Sequence, residues 1–150
     1  MKLRQCIVTI AMTAALIGSA LPSTAQGGEK FTARLGWVPI AGPNDRANVT
    51  GKGSATGTLS GRKLTITGSF EGLAAPATLA RLHQGIIKGA RGAAITDLTV
   101  SKGASGTLTG SVDLTAPQVE ALRQGKLYIQ LHSEKGVAPD GSNLWGWFLK

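Results

Sequence analysis

The sequence predicts a small all-β domain, an antiparallel sandwich or barrel of about eight short strands with one short helix. Three observations carry this. First, 21 of 150 residues are Gly, while aromatics are 5% and charged residues 16%; Gly is about twice its usual share. Second, no stretch of 12 to 15 residues after residue 25 carries a clean helical apolar stripe. Third, turn residues recur every eight to twelve positions. Helical bundles, coiled coils and doubly wound α/β enzymes are excluded. The length supports a single domain.

The strands follow in order. Phe31-Thr32-Ala33-Arg34-Leu35 alternates apolar with polar or small residues, as a half-buried strand does. Pro39 to Asn48 is a loop rich in turn formers. Ser54–Leu59 is a strand, and Gly61-Arg62 is short enough for a hairpin turn. Leu64, Ile66, Gly68 and Phe70 alternate with Lys63, Thr65, Thr67 and Ser69, so one face is core and the other wet. Thr78–Gln84, Ala94–Val100 and Gly106–Leu114 are further strands. Thr115 is a candidate N-cap with Pro117 in the first turn, Gln118 as its reciprocal partner and Gly125 as the stop. These signals predict a helix of about nine residues over 116–124. Leu127, Ile129 and Leu131 then face inward, opposite Tyr128, Gln130 and His132. Leu144–Leu149 is a last strand, apolar on both faces.

Residues 1–25 read as an export signal, with Lys2 and Arg4 before an uncharged run from Ile7 to Leu21 and small residues at Ser23-Thr24-Ala25. The run is too short to span a membrane comfortably, so an integral membrane protein is not expected once the signal is cleaved. Cleavage after Ala25 leaves residues 26–150 as one β domain. It removes two positive charges and no negative ones, so the net charge falls from +8 to +6. It also removes Cys6, the only cysteine, so thiol catalysis and Cys-ligated metals are excluded from the remainder. The expected location is periplasmic or secreted.

A shift of 49 residues overlays parts of the chain. Positions 57–83 and 106–132 share eight identities, including Gly57-Thr58-Leu59 with Gly106-Thr107-Leu108 and Leu82-His83 with Leu131-His132. This suggests a duplicated β unit whose two Leu-His strands occupy related places.

The segment Thr115–Leu131, TAPQVEALRQGKLYIQL, followed by His132, resembles the signature of the chordin domain (CHRD) family. In that family a Thr-Ala-x-Gln helix precedes a Leu-Tyr-(Val/Ile)-x-(Val/Leu)-His strand. Phe31–Leu35 is similar to the family's first strand, Thr78–Gly92 to its Ala-His-Ile-His-x-Gly segment and loop, and Trp145–Leu149 to its last strand. The chain departs from the pattern where Arg81 replaces the first histidine and Leu82 the isoleucine, where Lys88 and Arg91 enter the loop, and where Trp145 and Trp147 replace polar residues. The resemblance implies an immunoglobulin-like β-sandwich or barrel in an exported protein, and little biochemistry.

Two sets of residues are candidates for a site. His83 and His132 are the only histidines, and a strand pair can bring two imidazoles together over a metal of copper type, with Asp97 or Glu134 completing the set. Otherwise each imidazole bonds a backbone group at a strand end and orients a loop. The second set is Arg81, Lys88, Arg91, Trp145 and Trp147, which would receive an anionic envelope or extracellular ligand: a polysaccharide, a lipid headgroup or a protein. Trp37 could join the tryptophans, or these could pack beneath the helix. Nucleic acid is not expected, because no reading helix or base-stacking motif is present. The Gly85–Gly92 loop lacks the Gly-Lys-Ser/Thr ending of a phosphate cradle. No spacing selects a catalytic triad, so the sequence reads as a non-enzyme that needs no cofactor. Binding of an anionic or extracellular ligand is the leading expectation, and metal binding by the two histidines is the alternative.

Overall fold

The computed structural model describes residues 27–40 and 42–150. The expected export signal over 1–25 lies outside them. Eight antiparallel strands form a closed barrel: β1 (Glu29–Trp37), β2 (Lys52–Ser60), β3 (Lys63–Glu71), β4 (Ala77–Gly85), β5 (Gly92–Val100), β6 (Gly106–Asp113), β7 (Leu127–Val137) and β8 (Ser142–Trp147). The order around the barrel is β1-β2-β3-β6-β5-β4-β7-β8, and β8 returns to β1. One helix, α1 (Ala116–Arg123), joins β6 to β7.

Of the expected immunoglobulin-like sandwich or barrel, the structure is the barrel. Two strands make the difference by changing partners along their length. β1 pairs with β2 over Glu29–Leu35, then with β8 at Gly36 and Trp37. β5 pairs with β4 from Gly92 to Leu98, then with β6 at Thr99 and Val100. Both act as corners, so neither sheet ends in a free edge.

Small residues line part of the barrel interior and make room for the large ones. Phe31 lies opposite Gly57, Gly57 opposite Ile66, and Ala55 opposite both Ala33 and Gly68. An eight-stranded barrel has room for about one layer of side chains, and these pairs fill it without excess. Leu64, Ile66, Leu82, Leu108, Ile129, Leu131 and Phe148 are fully buried in that interior. The helix closes one end with Val119, Ala121 and Leu122. Its capping box is formed as expected: Gln118 N donates to Thr115 Oγ1 at 3.4 Å and Thr115 N to Gln118 Oε1 at 2.9 Å. Gly125 takes the left-handed φ of 69° that ends the helix. Arg123 of this helix and Lys150 both hold Glu29, at 2.6 and 3.0 Å. They keep its carboxyl at about 2, through their hydrogen bonds above all.

The internal repeat is not a structural duplication. Residues 63–71 are strand β3, whereas 112–120 span the end of β6, a linker and half the helix. Gly61 sits in a turn with φ 59°, while its counterpart Gly110 lies in mid-strand opposite Ile66. One part of the echo does hold. Leu82 and Leu131 are both fully buried on neighbouring strands, and the histidine after each points outward.

Candidate binding cleft

β4 and β7 are antiparallel neighbours, so their outward residues form rungs: Leu79 with His132, Arg81 with Gln130, and His83 with Tyr128. Inward positions carry Ala80, Leu82, Ile129 and Leu131, which anchor the rungs to the core. Over this face fold the β4–β5 loop, bringing Arg91 and Gly92, and the β7–β8 turn, bringing Asp140. The result is a cleft of about 280 Å³ lined by Leu79, Arg81, His83, Arg91, Gly92, Tyr128, Gln130, His132 and Asp140.

Each histidine sits at an irregularity in its strand. The β4–β5 register shifts between Leu82 and His83, and the β7–β8 register shifts between Leu131 and His132. A bulge re-aims the side chain beside it. Here both rings turn toward the covering segments. His83 Nδ1 meets the Gly92 carbonyl at 3.0 Å, and His132 Nδ1 meets the Asp140 carbonyl at 2.9 Å. A carbonyl only accepts, so each Nδ1 carries the proton and each Nε2 presents a lone pair in the neutral ring. Both Nε2 atoms are buried, and neither has a hydrogen-bonding partner among the described residues. The loop-orienting role expected for the histidines is therefore real, and it uses only half of each ring.

The electrostatics follow from burial and charge. Burial pushes the His83 imidazole below 6.5, against the Gly92 hydrogen bond, and His132, Arg81 and Arg91 lower it further. Burial pushes the Asp140 carboxyl upward, but Ser142 Oγ at 2.6 Å and Ser142 N at 3.1 Å, with His132 and Arg91, outweigh it and hold the carboxyl below 3.8. Gln130 is buried and donates to Ser142 Oγ at 2.6 Å, which extends this chain under the cleft floor. Arg81 Nε bonds Asp97 at 2.6 Å, and Arg91 stands 3.8 Å from Asp140. Among the described residues no partner holds the terminal nitrogens of Arg81.

An aromatic stack supports the far end. Tyr128 is fully buried, stacks on His83 with ring centroids 5.0 Å apart, and packs against Trp147 at 4.3 Å. Its hydroxyl accepts from Gly92 N–H at 3.1 Å. Trp145 touches Trp147 edge-on at 5.9 Å. Gly85 and Gly92 close the base of the loop because nothing larger fits. A Cβ on Gly92 would meet the Gln84 carbonyl, and one on Gly85 would meet Trp147 at 2.8 Å.

Most of the residues singled out in the sequence thus converge. Arg81, His83, Arg91 and His132 line one cleft. Trp145 and Trp147 adjoin it through Tyr128 and are half-buried on the outer face, not beneath the helix. Lys88 is exposed on the loop and does not line the cleft. Trp37 lies opposite Leu144 and donates to the Gly51 carbonyl, away from the other tryptophans. The carboxylates expected beside the histidines are elsewhere. Asp97 holds Arg81 and Glu134 is exposed, whereas Asp140 takes the place near His132. Tyr128, Gln130 and Asp140 were not singled out. The alternation of β7 puts Tyr128, Gln130 and His132 on one face, but only the β4–β7 register makes that face a cleft.

The register also bears on a shared metal. His83 and His132 are four residues apart along β4 and its partner, about 13 Å of strand. Arg81 stands on the rung between them. Among the described residues no group of three His, Cys, Asp or Glu is placed to hold a metal ion.

Comparison with curated proteins gives no match. The family model of the CHRD domain matches residues 38–141. That span contains Arg81, His83, Arg91, His132 and Asp140, and it leaves out β1 and β8. With more than half its length covered by that model, the chain belongs to the CHRD domain family.

Proposed function

We propose that the chain is an exported, non-catalytic binding module that receives an anionic group of an envelope or extracellular ligand in the β4–β7 cleft. The observation that carries this reading is a pair of buried, unpartnered imidazole nitrogens in one cleft with Arg81 and Arg91. A buried polar atom without a partner is costly, and a ligand that pairs with it recovers that cost. Two guanidiniums supply planar donors suited to a carboxylate, sulfate or phosphate. His83 completes the site by taking a proton at Nε2 as the anion arrives, which turns that acceptor into a donor. Export is supported by the signal-like residues 1–25.

The wiring favours holding over transforming. Ser142 Oγ donates to Asp140 and accepts from Gln130, so it is not presented to an imidazole. Each histidine is oriented by a backbone carbonyl and not by a carboxylate. No nucleophile, base and orienting acid stand in line among the described residues.

The test is a titration with sulfate and with glucuronate, followed by imidazole NMR, with sodium chloride at equal ionic strength as control. Saturable shifts at His83 and His132 are expected, and their loss in the double variant Arg81→Gln/Arg91→Gln. Identical responses to sulfate and chloride would sink the proposal. The alternative expectation, one metal of copper type shared by His83 and His132, is not the reading favoured, because the register sets the two about 13 Å of strand apart with Arg81 on the rung between them.

A further inference from the structure

The loop between β4 and β5 opens with Ile86 and Ile87, which are 79% and 61% exposed. They are the most exposed large apolar side chains among the described residues. The loop is built to present them. Ala90 N–H bonds the Ile87 carbonyl at 3.2 Å, and Gly89 turns with φ 87°. Gly85 N–H bonds the Lys126 carbonyl at 2.8 Å, which ties the base of the loop to the start of β7. Lys88 at the tip and Lys126 beside its base have no carboxylate partner among the described residues. Leu149, 40% exposed, lies at the same end of the barrel, near Gly125. β1 also begins at this end, where Glu29 is held by Arg123 and Lys150.

We infer that this end of the barrel docks on an anionic lipid surface, with Ile86 and Ile87 entering below the phosphates and Lys88 and Lys126 lying among them. The shape argues for a membrane over a protein. The apolar area is a convex tip of two side chains, whereas a stable protein interface needs about 800 Å² per partner. A bilayer surface needs no matching groove. It accepts apolar side chains at the headgroup boundary and attracts lysines when it is anionic. No helix among the described residues is long and apolar enough to cross a membrane. The inference does not depend on the cleft, since neither isoleucine lines it.

Vesicle pelleting tests it, with phosphatidylcholine alone and phosphatidylcholine mixed with phosphatidylglycerol. Binding to the anionic vesicles only, weakened by salt, is expected. Each isoleucine replaced by serine weakens it about tenfold, and Ile86→Ser/Ile87→Ser abolishes detectable pelleting. Because both side chains are in solvent, that variant keeps the melting temperature and the sulfate response of the wild type. Lys88→Glu weakens binding at low salt. Three results overturn the inference: no pelleting with anionic vesicles, pelleting that the double serine variant retains, or a concentration-dependent dimer that the serines abolish.

Discussion

Replacing Tyr128 by Phe removes one oxygen atom and tests how the cleft is held together. The ring stays, with its packing on His83 at 5.0 Å and Trp147 at 4.3 Å. What is lost is the acceptor for Gly92 N–H at 3.1 Å. An unmade hydrogen bond costs about 1–3 kcal/mol when the donor stays buried. Gly92 is partly exposed, so water can take part of the load, and about 1 kcal/mol is expected. For a domain of this size that is about 3–5 °C in melting temperature. Tyr128→Leu also loses the ring contacts with His83, Trp147 and Trp145, at about 0.5–1.5 kcal/mol each, and so falls by about 2.5–5.5 kcal/mol. Urea unfolding of the wild type and both variants measures this. The Gly92 carbonyl also holds His83 Nδ1, so Tyr128→Phe loosens the imidazole and speeds amide exchange at Gly92. If Tyr128→Phe is as stable as the wild type, or Tyr128→Leu no worse than Tyr128→Phe, the hydroxyl and the stack do not support the loop as argued.

Further expectations concern pH and local geometry. His83 is held below 6.5 in the folded chain, so the unfolded chain takes up the proton first as pH falls. Stability therefore declines from about pH 6.5 downward until the folded-state imidazole also protonates, and His83→Gln flattens that part of a stability–pH curve. Glu29 acts in the same sense at lower pH: lowered from 4.5 to about 2, its contribution is present above 4.5 and is lost as pH falls toward 2. Glu29→Gln removes that acid limb, which thermal melts at pH 3 and pH 6 compare. Thr115→Ala breaks the capping box and costs about 1 kcal/mol in urea unfolding, with no change in sulfate binding. Gly92→Ala drives a Cβ into the Gln84 carbonyl, so it lowers the melting temperature and weakens the sulfate response together.

Much of the fold was legible because local rules and tertiary environment agree in this chain. The alternation of Leu64, Ile66 and Phe70 is what an interior-facing barrel strand shows, and it predicts β3 correctly. Thr115, Gln118 and Gly125 place α1 to within a residue because capping chemistry is local. Closure into a barrel was not legible. It depends on β1 and β5 changing partners near Gly36 and Leu98, which no local pattern encodes. The 49-residue echo misled because Gly-Thr-Leu-x-Gly suits a strand and its turn in one place and mid-strand in the other. At the cleft, His83, His132, Arg81 and Arg91 were visible as residue types that seek partners. The contributions of Tyr128, Gln130 and Asp140 needed the β4–β7 register and two bulges. Lys88 was grouped with the cleft on charge alone, and the turn at Gly89 leaves it on the exposed loop, outside the lining.

The central claim is that the cleft takes up an anion and a proton together at His83. Its most direct measurement is the imidazole titration of His83 by NMR, with and without sulfate at matched ionic strength. A midpoint below 6.5 without sulfate, raised when sulfate is added and no longer raised in Arg81→Gln/Arg91→Gln, is the predicted result. A midpoint that sulfate leaves where chloride leaves it contradicts the account.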